Sequence, residues 1–377
     1  MGHGFPTSGL RSDELKRILV FRIGQIGDTI VALPVFWALR STFPSARLWL
    51  LTNQERDSTH VNPCHVLPDE GLINDVLSYP SDGGVSAWTL LQLLRKLRKG
   101  RFDALVYLAP RQRTRFQVLR DLAFFRLAGI SRFLAHRGFA PVPSAGAEGR
   151  LPTTQHEADH LLERLSLSGV QVPPPGNGCM DLCLGEEELA RARTWLDQRA
   201  HGWRASGRRL VAIGPGSKWP SKIWPEERYA ELGECIIREI NAFLIVCGGP
   251  EDRDLAMRLV KRWSRGTIAA GELTVRESAA VLSHCQAYVG NDTGTMHLAA
   301  AVGTPCVAVF SAQDWPGRWY PYGKGHRVIR HQVPCEGCGL RVCVEHGLCC
   351  LVTIEVEEVM AACREVMAQP RGSGHLL

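Results

Sequence analysis

A polar turn that follows a short apolar segment is the clearest candidate for chemistry in this chain. Asp292, Thr293 and Gly294 come directly after the apolar residues 287–289, and the helix-forming residues 296–302 follow them. A helix that begins at such a turn exposes unpaired amide groups at the positive end of its dipole, which is where anions bind. The alternative is that Asp292 or Thr293 only caps the helix.

Two further turns of this kind lie in the same half of the chain. Ser217 follows Pro215 and Gly216 at one strand end, and Glu251 follows Gly248, Gly249 and Pro250 at another. Ser217 can donate a hydrogen bond, Lys218 or Lys222 can neutralise a phosphate, and Glu251 can accept hydrogen bonds from ribose hydroxyls. Three polar turns at three strand ends predict a pocket for a nucleotide diphosphate. None of them matches the glycine patterns of P-loop ATPases or nicotinamide enzymes, which argues against both classes.

The first half of the chain has one comparable turn. Asp28 ends the sequence Gly24-Gln25-Ile26-Gly27-Asp28, which follows the apolar residues 17–23. A carboxylate at such a turn can act as a general base towards a hydroxyl group. It can equally cap the helix that follows.

Apolar runs and helical patterns alternate along both halves, which predicts an α/β protein with two doubly wound parallel sheets. The predicted strands of the first half are residues 17–23, 47–52, 75–79 and 103–108, and its predicted helices include residues 29–43 and 87–98. In the second half, residues 208–213, 242–247 and 287–289 are predicted strands, and residues 224–240, 251–263 and 274–284 are predicted helices. Proline-rich residues 173–178 predict a boundary between a domain of residues 1–178 and one of residues 179–377, whose last helix could pack back on the first domain. The site is expected in the cleft between the carboxyl ends of the two sheets.

Composition narrows the class of protein. The chain has 377 residues, of which 45% are hydrophobic and 22% charged, so two globular domains are expected. Its sequence contains no apolar run of the ~18 residues that span a membrane, and residues 1–10 lack the apolar stretch of a secretory signal. We therefore expect a cytoplasmic protein.

Basic residues are concentrated between Arg95 and Arg137, where phenylalanines separate them. The net charge of +6 is mild, so this local density says more than the total. The segment suits an anionic acceptor or the anionic headgroups of a membrane. It could also be a solvated helix face on which arginine stems cover apolar surface.

Five of the thirteen cysteines form a cluster near the carboxyl end, and the others are scattered as small core residues would be. The clustered cysteines are Cys335, Cys338, Cys343, Cys349 and Cys350. A Cys-x-x-Cys pair followed by further thiols is typical of a tetrahedral site for structural zinc or iron. The alternative is a loop of reduced thiols that binds nothing.

Several segments together resemble the heptosyltransferase family, glycosyltransferase family 9. The resemblance runs from about Arg17 to about Met367 and is carried by residues 22–34, 39–44, 215–217, 222–229, 248–251 and 290–297. It implies the GT-B fold, in which two Rossmann-like domains face each other across a cleft. It also implies a nucleotide-sugar donor on the second domain, an acceptor on the first, and an inverting transfer that needs no catalytic metal.

The resemblance also implies residue roles. Asp28 is similar to the family's general base, and Lys222 to the lysine that neutralises the leaving diphosphate. The other implied donor contacts are Ser217, Thr293 and Gly294 around the phosphates, Glu251 at the ribose and Asp292 at the sugar hydroxyls. His297 could approach the phosphates or only pack. Some members of the family that glycosylate proteins hold iron in a cysteine cluster like the one described above.

The function expected from these observations is transfer of a sugar to a hydroxyl group of an anionic glycan or lipopolysaccharide-core acceptor. Heptose from ADP-heptose is the donor that the resemblance favours, and peripheral contact with the inner face of the cell membrane is expected, without nucleic acid. Gly24 and Gln25 stand where lipopolysaccharide enzymes often have serines. The alternatives are therefore a protein or secondary-metabolite acceptor, or a non-catalytic, metal-stabilised protein that binds nucleotide sugars.

Overall fold

The computed structural model describes residues 14–54, 62–68, 71–81, 84–139, 142–144 and 150–368. The chain divides into two compact units, the first of residues 1–142 and 157–180 and the second of residues 143–156 and 181–377. The sequence placed a single boundary after residue 178. The segment 143–156 belongs to the second unit because its backbone is bonded there: Thr154 N donates to Pro316 O at 2.8 Å, and Leu151 N donates to the Glu336 carboxylate at 3.0 Å.

The first unit contains a five-stranded parallel sheet with the strand order β3-β2-β1-β4-β5. Its strands are β1 Arg17–Phe21, β2 Arg47–Gln54, β3 Asp75–Pro80, β4 Ala104–Tyr107 and β5 Arg132–Leu134. Its helices are α1 Ile26–Val31, α2 Leu33–Thr42, α3 Ala87–Gly100, α4 Arg115–Leu127 and α5 Glu157–Ser166. The single helix predicted for residues 29–43 is thus two helices. They divide at Ala32 because Pro34, in the first turn of α2, has no amide hydrogen with which to continue α1.

The second unit contains a six-stranded parallel sheet with the strand order β11-β10-β9-β6-β7-β8. Its strands are β6 Arg209–Gly214, β7 Ala242–Val246, β8 Gly266–Ile268, β9 Ala287–Asn291, β10 Cys306–Val309 and β11 Arg327–Ile329. Its helices are α6 Glu186–Arg199, α7 Glu226–Ile240, α8 Arg253–Trp263, α9 Val275–His284, α10 Gly294–Ala301, α11 Cys349–Val352 and α12 Val356–Ala368. In this unit α12 packs against α7, β9, β10 and β11.

The predicted α/β class with two doubly wound parallel sheets is confirmed. The strands of such sheets are covered on both faces, which is why they stand out in the sequence as unbroken apolar runs. In the described part of the chain, no helix has both the length and the apolar character that crossing a bilayer would require.

Each sheet reverses its strand order beside its first strand. In the first unit β1 lies between β2 and β4, and in the second unit β6 lies between β7 and β9. Chains leave such a pair of strands in opposite directions, so a crevice opens at their carboxyl ends. Asp28 lies in the first turn of α1 after β1, and Ser217 and Asp292 lie in the turns after β6 and β9, which places each of these residues at the crevice of its own sheet.

Candidate functional site

In the first unit, Arg22 fixes the carboxylate of Asp28. Arg22 Nη2 donates to Asp28 Oδ1 at 3.0 Å, and Arg22 Nη1 donates to the backbone oxygen of Leu108 at 3.0 Å. The guanidinium is therefore anchored to the segments that leave β1 and β4. Because the side chain of Arg22 is 2% exposed and that of Asp28 is 29% exposed, the arginine orients a carboxylate that solvent can still reach.

The turn before α1 is built around the same carboxylate. Gly24 has φ of +135°, and a Cβ atom there would lie 2.4 Å from Asp28 Cγ, so only glycine fits. The backbone nitrogen of Gln25 donates to Asp28 Oδ2 at 2.9 Å, which is the helix-capping contact that the sequence offered as the alternative role for Asp28. Asp28 therefore caps α1 and at the same time keeps its carboxylate accessible to solvent.

In the second unit, the buried amide of Asn291 joins the segments that carry the predicted donor site. Asn291 is fully buried, and its Nδ2 donates to Pro215 O at 2.7 Å. Its Oδ1 accepts from the backbone nitrogen of Trp224 at 3.1 Å and from the Tyr229 hydroxyl at 2.8 Å. The end of β9, the turn after β6 and the start of α7 are thereby held together. The sequence did not predict this role, although Asn291 precedes Asp292 in the motif that it singled out.

Lys222 and Asp292, predicted separately, form an ion pair. Lys222 Nζ lies 2.6 Å from Asp292 Oδ2 and 5.4 Å from the centre of the Trp219 ring. Burial raises the pKa of Asp292 despite the opposing effect of Lys222, and Asp314 adds to the increase. The structure thus brings a cation and a carboxylate together at the carboxyl end of β9.

The start of α10 has no side-chain cap. Thr293 occupies the N-cap position, but among the described residues its side chain makes no capping hydrogen bond. The carboxylate of Asp292 is directed to Lys222 instead. The first amide groups of a helix have no partner within the helix, so the turn at Thr293 and Gly294, both partly exposed, has the form of an anion site.

The glycines of the other two turns converge on Asp252, which the sequence did not predict. A Cβ atom at Gly216 would lie 1.8 Å from Asp252 Oδ1, and one at Gly248 would lie 2.3 Å from Asp252 Oδ2. Gly249 N donates to Asp252 Oδ2 at 3.0 Å. Burial raises the pKa of Asp252 to about 6. Its neighbour Glu251, the predicted ribose contact, is exposed.

His297 and Ser217 lie in the same unit but differ in what they can offer a ligand. His297 is 3% exposed, and its ring packs edge-on at 6.4 Å from Trp319. Burial, with smaller effects from His156 and Lys222, lowers the pKa of His297 to about 3, so its imidazole is neutral at neutral pH. Its Nδ1 has no hydrogen-bond partner within the described residues. Ser217 Oγ accepts from Trp219 N at 3.2 Å and can still donate its proton.

The cysteine cluster is only partly assembled. Cys335 Sγ and Cys349 Sγ lie 3.8 Å apart, and all five clustered cysteines are free thiols. Burial, with the neighbouring thiols of Cys349, Cys338 and Cys350, raises the pKa of Cys335 to about 11. Over the described residues, no group of three or more histidine, cysteine, aspartate or glutamate side chains is placed to hold a metal ion. The predicted metal site is therefore not preformed.

Comparison with known proteins shows that this chain is similar to glycosyltransferases. The family model described as glycosyltransferase family 9 (heptosyltransferase) matches residues 177–348. The chain is 31% identical to lipopolysaccharide heptosyltransferase 2 of Salmonella typhimurium over 134 residues, which are 33% of this chain and 37% of that protein. It is 23% identical to the lipopolysaccharide core heptosyltransferase OpsX of Haemophilus influenzae over 320 residues, 83% of this chain and 84% of that one.

Solved structures show the same fold. A glycosyltransferase of family 9 from Veillonella parvula superposes with a TM-score of 0.69 at 20% identity, covering 96% of this chain and 99% of that one. The ADP-heptose lipopolysaccharide heptosyltransferase II of Escherichia coli superposes with a TM-score of 0.64 at 19% identity, covering 94% and 99%. The α/β fold of these GT-B enzymes is therefore the fold of this chain.

The ion pair between Lys222 and Asp292 makes a prediction about stability. Lys222→Met leaves a buried carboxylate without its partner and is expected to lower the free energy of unfolding by roughly 3 to 5 kcal/mol. Adding Asp292→Asn to that variant should restore part of the loss, since the charge is removed. Chemical denaturation of the two single variants and the double variant measures this coupling. If the losses of unfolding free energy in the two single variants simply added up in the double variant, the coupling would be contradicted.

The raised pKa of Asp252 makes a prediction about pH. A carboxyl group with a pKa of about 6 in the folded protein holds its proton more tightly than in the unfolded chain, so its contribution to stability falls as pH rises from about 4 to about 6. Asp252→Asn keeps an oxygen for Gly249 N but cannot ionise. Its melting temperature should therefore gain on that of the native protein as pH rises through this window, and then level off. If the melting temperatures of the two proteins changed by the same amount from pH 4 to 8, the raised pKa of Asp252 would be refuted.

Proposed function

We propose that this chain, which is similar to glycosyltransferase family 9 over residues 177–348, is a glycosyltransferase that transfers heptose from ADP-heptose to a hydroxyl group of an anionic glycan or lipopolysaccharide-core acceptor. The observation that carries this proposal is the ion pair of Lys222 and Asp292 beside the uncapped start of α10. The similar E. coli protein is an ADP-heptose heptosyltransferase, which supports ADP-heptose as the donor. If the acceptor is lipid-linked, the protein works in the cytoplasm at the inner face of the membrane.

The second domain binds the donor in this proposal. The amide groups at Thr293 and Gly294 take the diphosphate, which is the ligand class that helix starts accept. Lys222 then neutralises the charge that grows on the departing diphosphate, the largest charge change of the reaction. Asp292 accepts hydrogen bonds from the sugar hydroxyls, and Ser217 donates to a phosphate oxygen. Glu251 is exposed at the end of β7, where it can reach the ribose.

The first domain supplies the base. Asp28 removes the proton from the acceptor hydroxyl while that oxygen attacks the anomeric carbon of the donor. The new glycosidic bond forms as the bond from that carbon to the diphosphate breaks, so the configuration inverts and ADP leaves. Arg22 holds the carboxylate in place throughout. Charge on the leaving group is met by Lys222 and by backbone amides, so the proposed chemistry assigns no step to a metal ion.

Substitution of Asp28 tests this mechanism. Asp28→Asn keeps the size of the side chain and an oxygen for Arg22 but removes the base, so heptose transfer should fall at least about a hundredfold. Affinity for ADP, measured by calorimetry, should stay within about twofold because the donor site lies on the other domain. Asp75→Asn, at an exposed carboxylate on β3 of the same unit, is the matched control and should retain transfer.

Transfer is measured as ADP release and as mass gain of the acceptor. A panel of nucleotide sugars and of glycan, protein and small-molecule acceptors separates the alternatives. An Asp28→Asn variant with full turnover would reject the base. Tight donor binding without transfer to any acceptor would favour a non-catalytic binding protein.

We also propose that the cysteine cluster holds a structural zinc or iron ion. The 3.8 Å between the sulfur atoms of Cys335 and Cys349 is about the separation of two thiolates bound at ~2.3 Å to one tetrahedral ion. Cys338 follows within the Cys-x-x-Cys pair, and Cys343 and the buried Cys350 are the other thiols of the cluster that could complete the set. The ion would clamp the loop after β11.

Metal analysis tests this proposal. Protein purified under nitrogen should carry about one zinc or iron per chain, measured by mass spectrometry, because four thiolates saturate one tetrahedral ion. Cys335→Ser should lose the metal and lower the melting temperature, whereas Cys183→Ser, at an exposed cysteine outside the cluster, should do neither. Metal-free native protein with an unchanged melting temperature after metal is added would contradict the proposal.

A further inference from the structure

Helices α3 and α4 lie side by side on one face of the first sheet. Leu93 and Leu97 of α3 and Val118 and Phe125 of α4 belong to the same core cluster. At their carboxyl ends, Arg98 Nε donates to the backbone oxygen of Leu127 at 3.0 Å. The outward sides of the two helices therefore form one continuous surface, which we call the α3–α4 face and define as the exposed residues of these two helices.

Large apolar side chains are exposed on the α3–α4 face. Trp88 is 60% exposed, Phe116 75%, Leu119 67% and Leu127 63%. Single exposed apolar residues are ordinary, but four large ones on two adjoining helices indicate a binding surface. The guanidinium of Arg95 lies 6.0 Å from the ring of Trp88, so the apolar and basic residues are interleaved.

Three basic residues of this face lack a carboxylate partner among the described residues. Within the part of the chain that the structure describes, Lys96, Lys99 and Arg115 have no carboxylate partner within ion-pair distance. The one acidic residue of the two helices, Asp121, is bonded to the Tyr107 hydroxyl and paired with Arg120.

Several exposed arginines of the second unit are neutralised within the protein. In the second unit, Arg258 of α8 is paired with Glu226, Arg262 with Glu227, and Arg364 of α12 with Glu239. These three exposed arginines therefore meet the protein's own carboxylates. The positive charge of the α3–α4 face is left for an external partner.

The direction of the two helices places the apolar residues near the carboxyl ends of the strands of the first sheet, beside Asp28, which we call the acceptor edge. A helix that follows a strand of a parallel sheet begins near the carboxyl end of that strand. Phe116 lies in the first turn of α4, which follows β4, and Trp88 lies in the first turn of α3, which follows β3. The carboxyl end of β4 is where Leu108 accepts from Arg22, the residue that orients Asp28.

We propose that the α3–α4 face docks on the surface of a bilayer that contains anionic lipids. Tryptophan and phenylalanine enter the interfacial region of a bilayer, and lysine and arginine beside them attract anionic headgroups. Interfaces between protein chains are depleted in lysine, so the composition favours lipid over a second copy of the chain. The purpose of docking rests on the proposed function, because it would hold the acceptor edge at a membrane that carries lipid-linked acceptors.

Vesicle co-sedimentation of the full chain tests the proposal. The native protein should bind vesicles of equal phosphatidylcholine and phosphatidylglycerol, and should bind pure phosphatidylcholine far more weakly. Lys96→Gln/Lys99→Gln should weaken binding to the mixed vesicles about 30-fold, at about fivefold for each charge near an anionic surface. Phe116→Ser/Leu119→Ser should weaken it severalfold. The control Met257→Ser/Lys261→Gln, at exposed positions of α8, should leave binding unchanged.

The outcomes separate membrane docking from self-association and from unspecific adsorption to lipid. Melting temperature and ADP affinity establish that each variant is folded. Equal binding to both kinds of vesicle, or equal losses in the α8 control, would overturn the proposal. Sedimentation velocity that shows a dimer dissociated by Phe116→Ser/Leu119→Ser, without vesicle binding by the native protein, would assign the face to self-association and would also overturn it.

Docking and catalysis can fail independently in this design. Vesicle binding needs neither donor nor acceptor. A protein that binds vesicles but transfers no sugar would reject the proposed function and keep the docking surface. A protein that transfers heptose to a water-soluble acceptor fragment but ignores vesicles would reject the docking surface alone.

Discussion

The candidate donor site depends on one buried side-chain amide. Asn291 is fully buried and bonds to Pro215 O, Trp224 N and the Tyr229 hydroxyl. Each of these groups would lose its partner if the amide were removed, and unpaired polar groups are costly in a protein interior. Because the three partners belong to the segments before and after Lys222, the amide sets the position at which that lysine meets the aspartate that follows Asn291.

The first unit uses an arginine for the same purpose. Arg22 joins the segments after β1 and β4 through Leu108 O and the Asp28 carboxylate, as Asn291 joins those after β6 and β9. Strands diverge at these two crevices, so their last backbone groups lack the sheet partners that groups elsewhere in the strands have. A polar side chain that satisfies these groups is also the side chain that positions the neighbouring functional residue. Arg22 and Asn291 therefore both stabilise the fold at their crevices and position the neighbouring functional residue.

The sequence predicted the strands and the residues of the polar turns, but not the contacts that position those residues. The strands were predictable because both faces of a parallel sheet are buried, and the rule that parallel strands end at one edge placed Lys222 and Asp292 in one pocket, though not as an ion pair. The position of Asp252 was not predictable, because it depends on glycines elsewhere in the sequence that leave space for its carboxylate. The attachment of residues 143–156 to the second unit rests on backbone hydrogen bonds, which leave no pattern in side-chain types. The cysteine spacing indicated ligands but not their assembly, which depends on loop conformation.

The charge balance of the second unit limits how it can bind a diphosphate. Lys222 is already neutralised by Asp292, and His297, with a pKa lowered to about 3, carries no charge at neutral pH. An incoming diphosphate must therefore either share Lys222 with Asp292 or be held mainly by backbone amides. The raised pKa of Asp292 shows that its charged form is already costly in the folded protein, so a second anion beside it needs compensation. The uncapped amides at the start of α10 are fixed in place before the ligand arrives and supply that compensation without reorganisation.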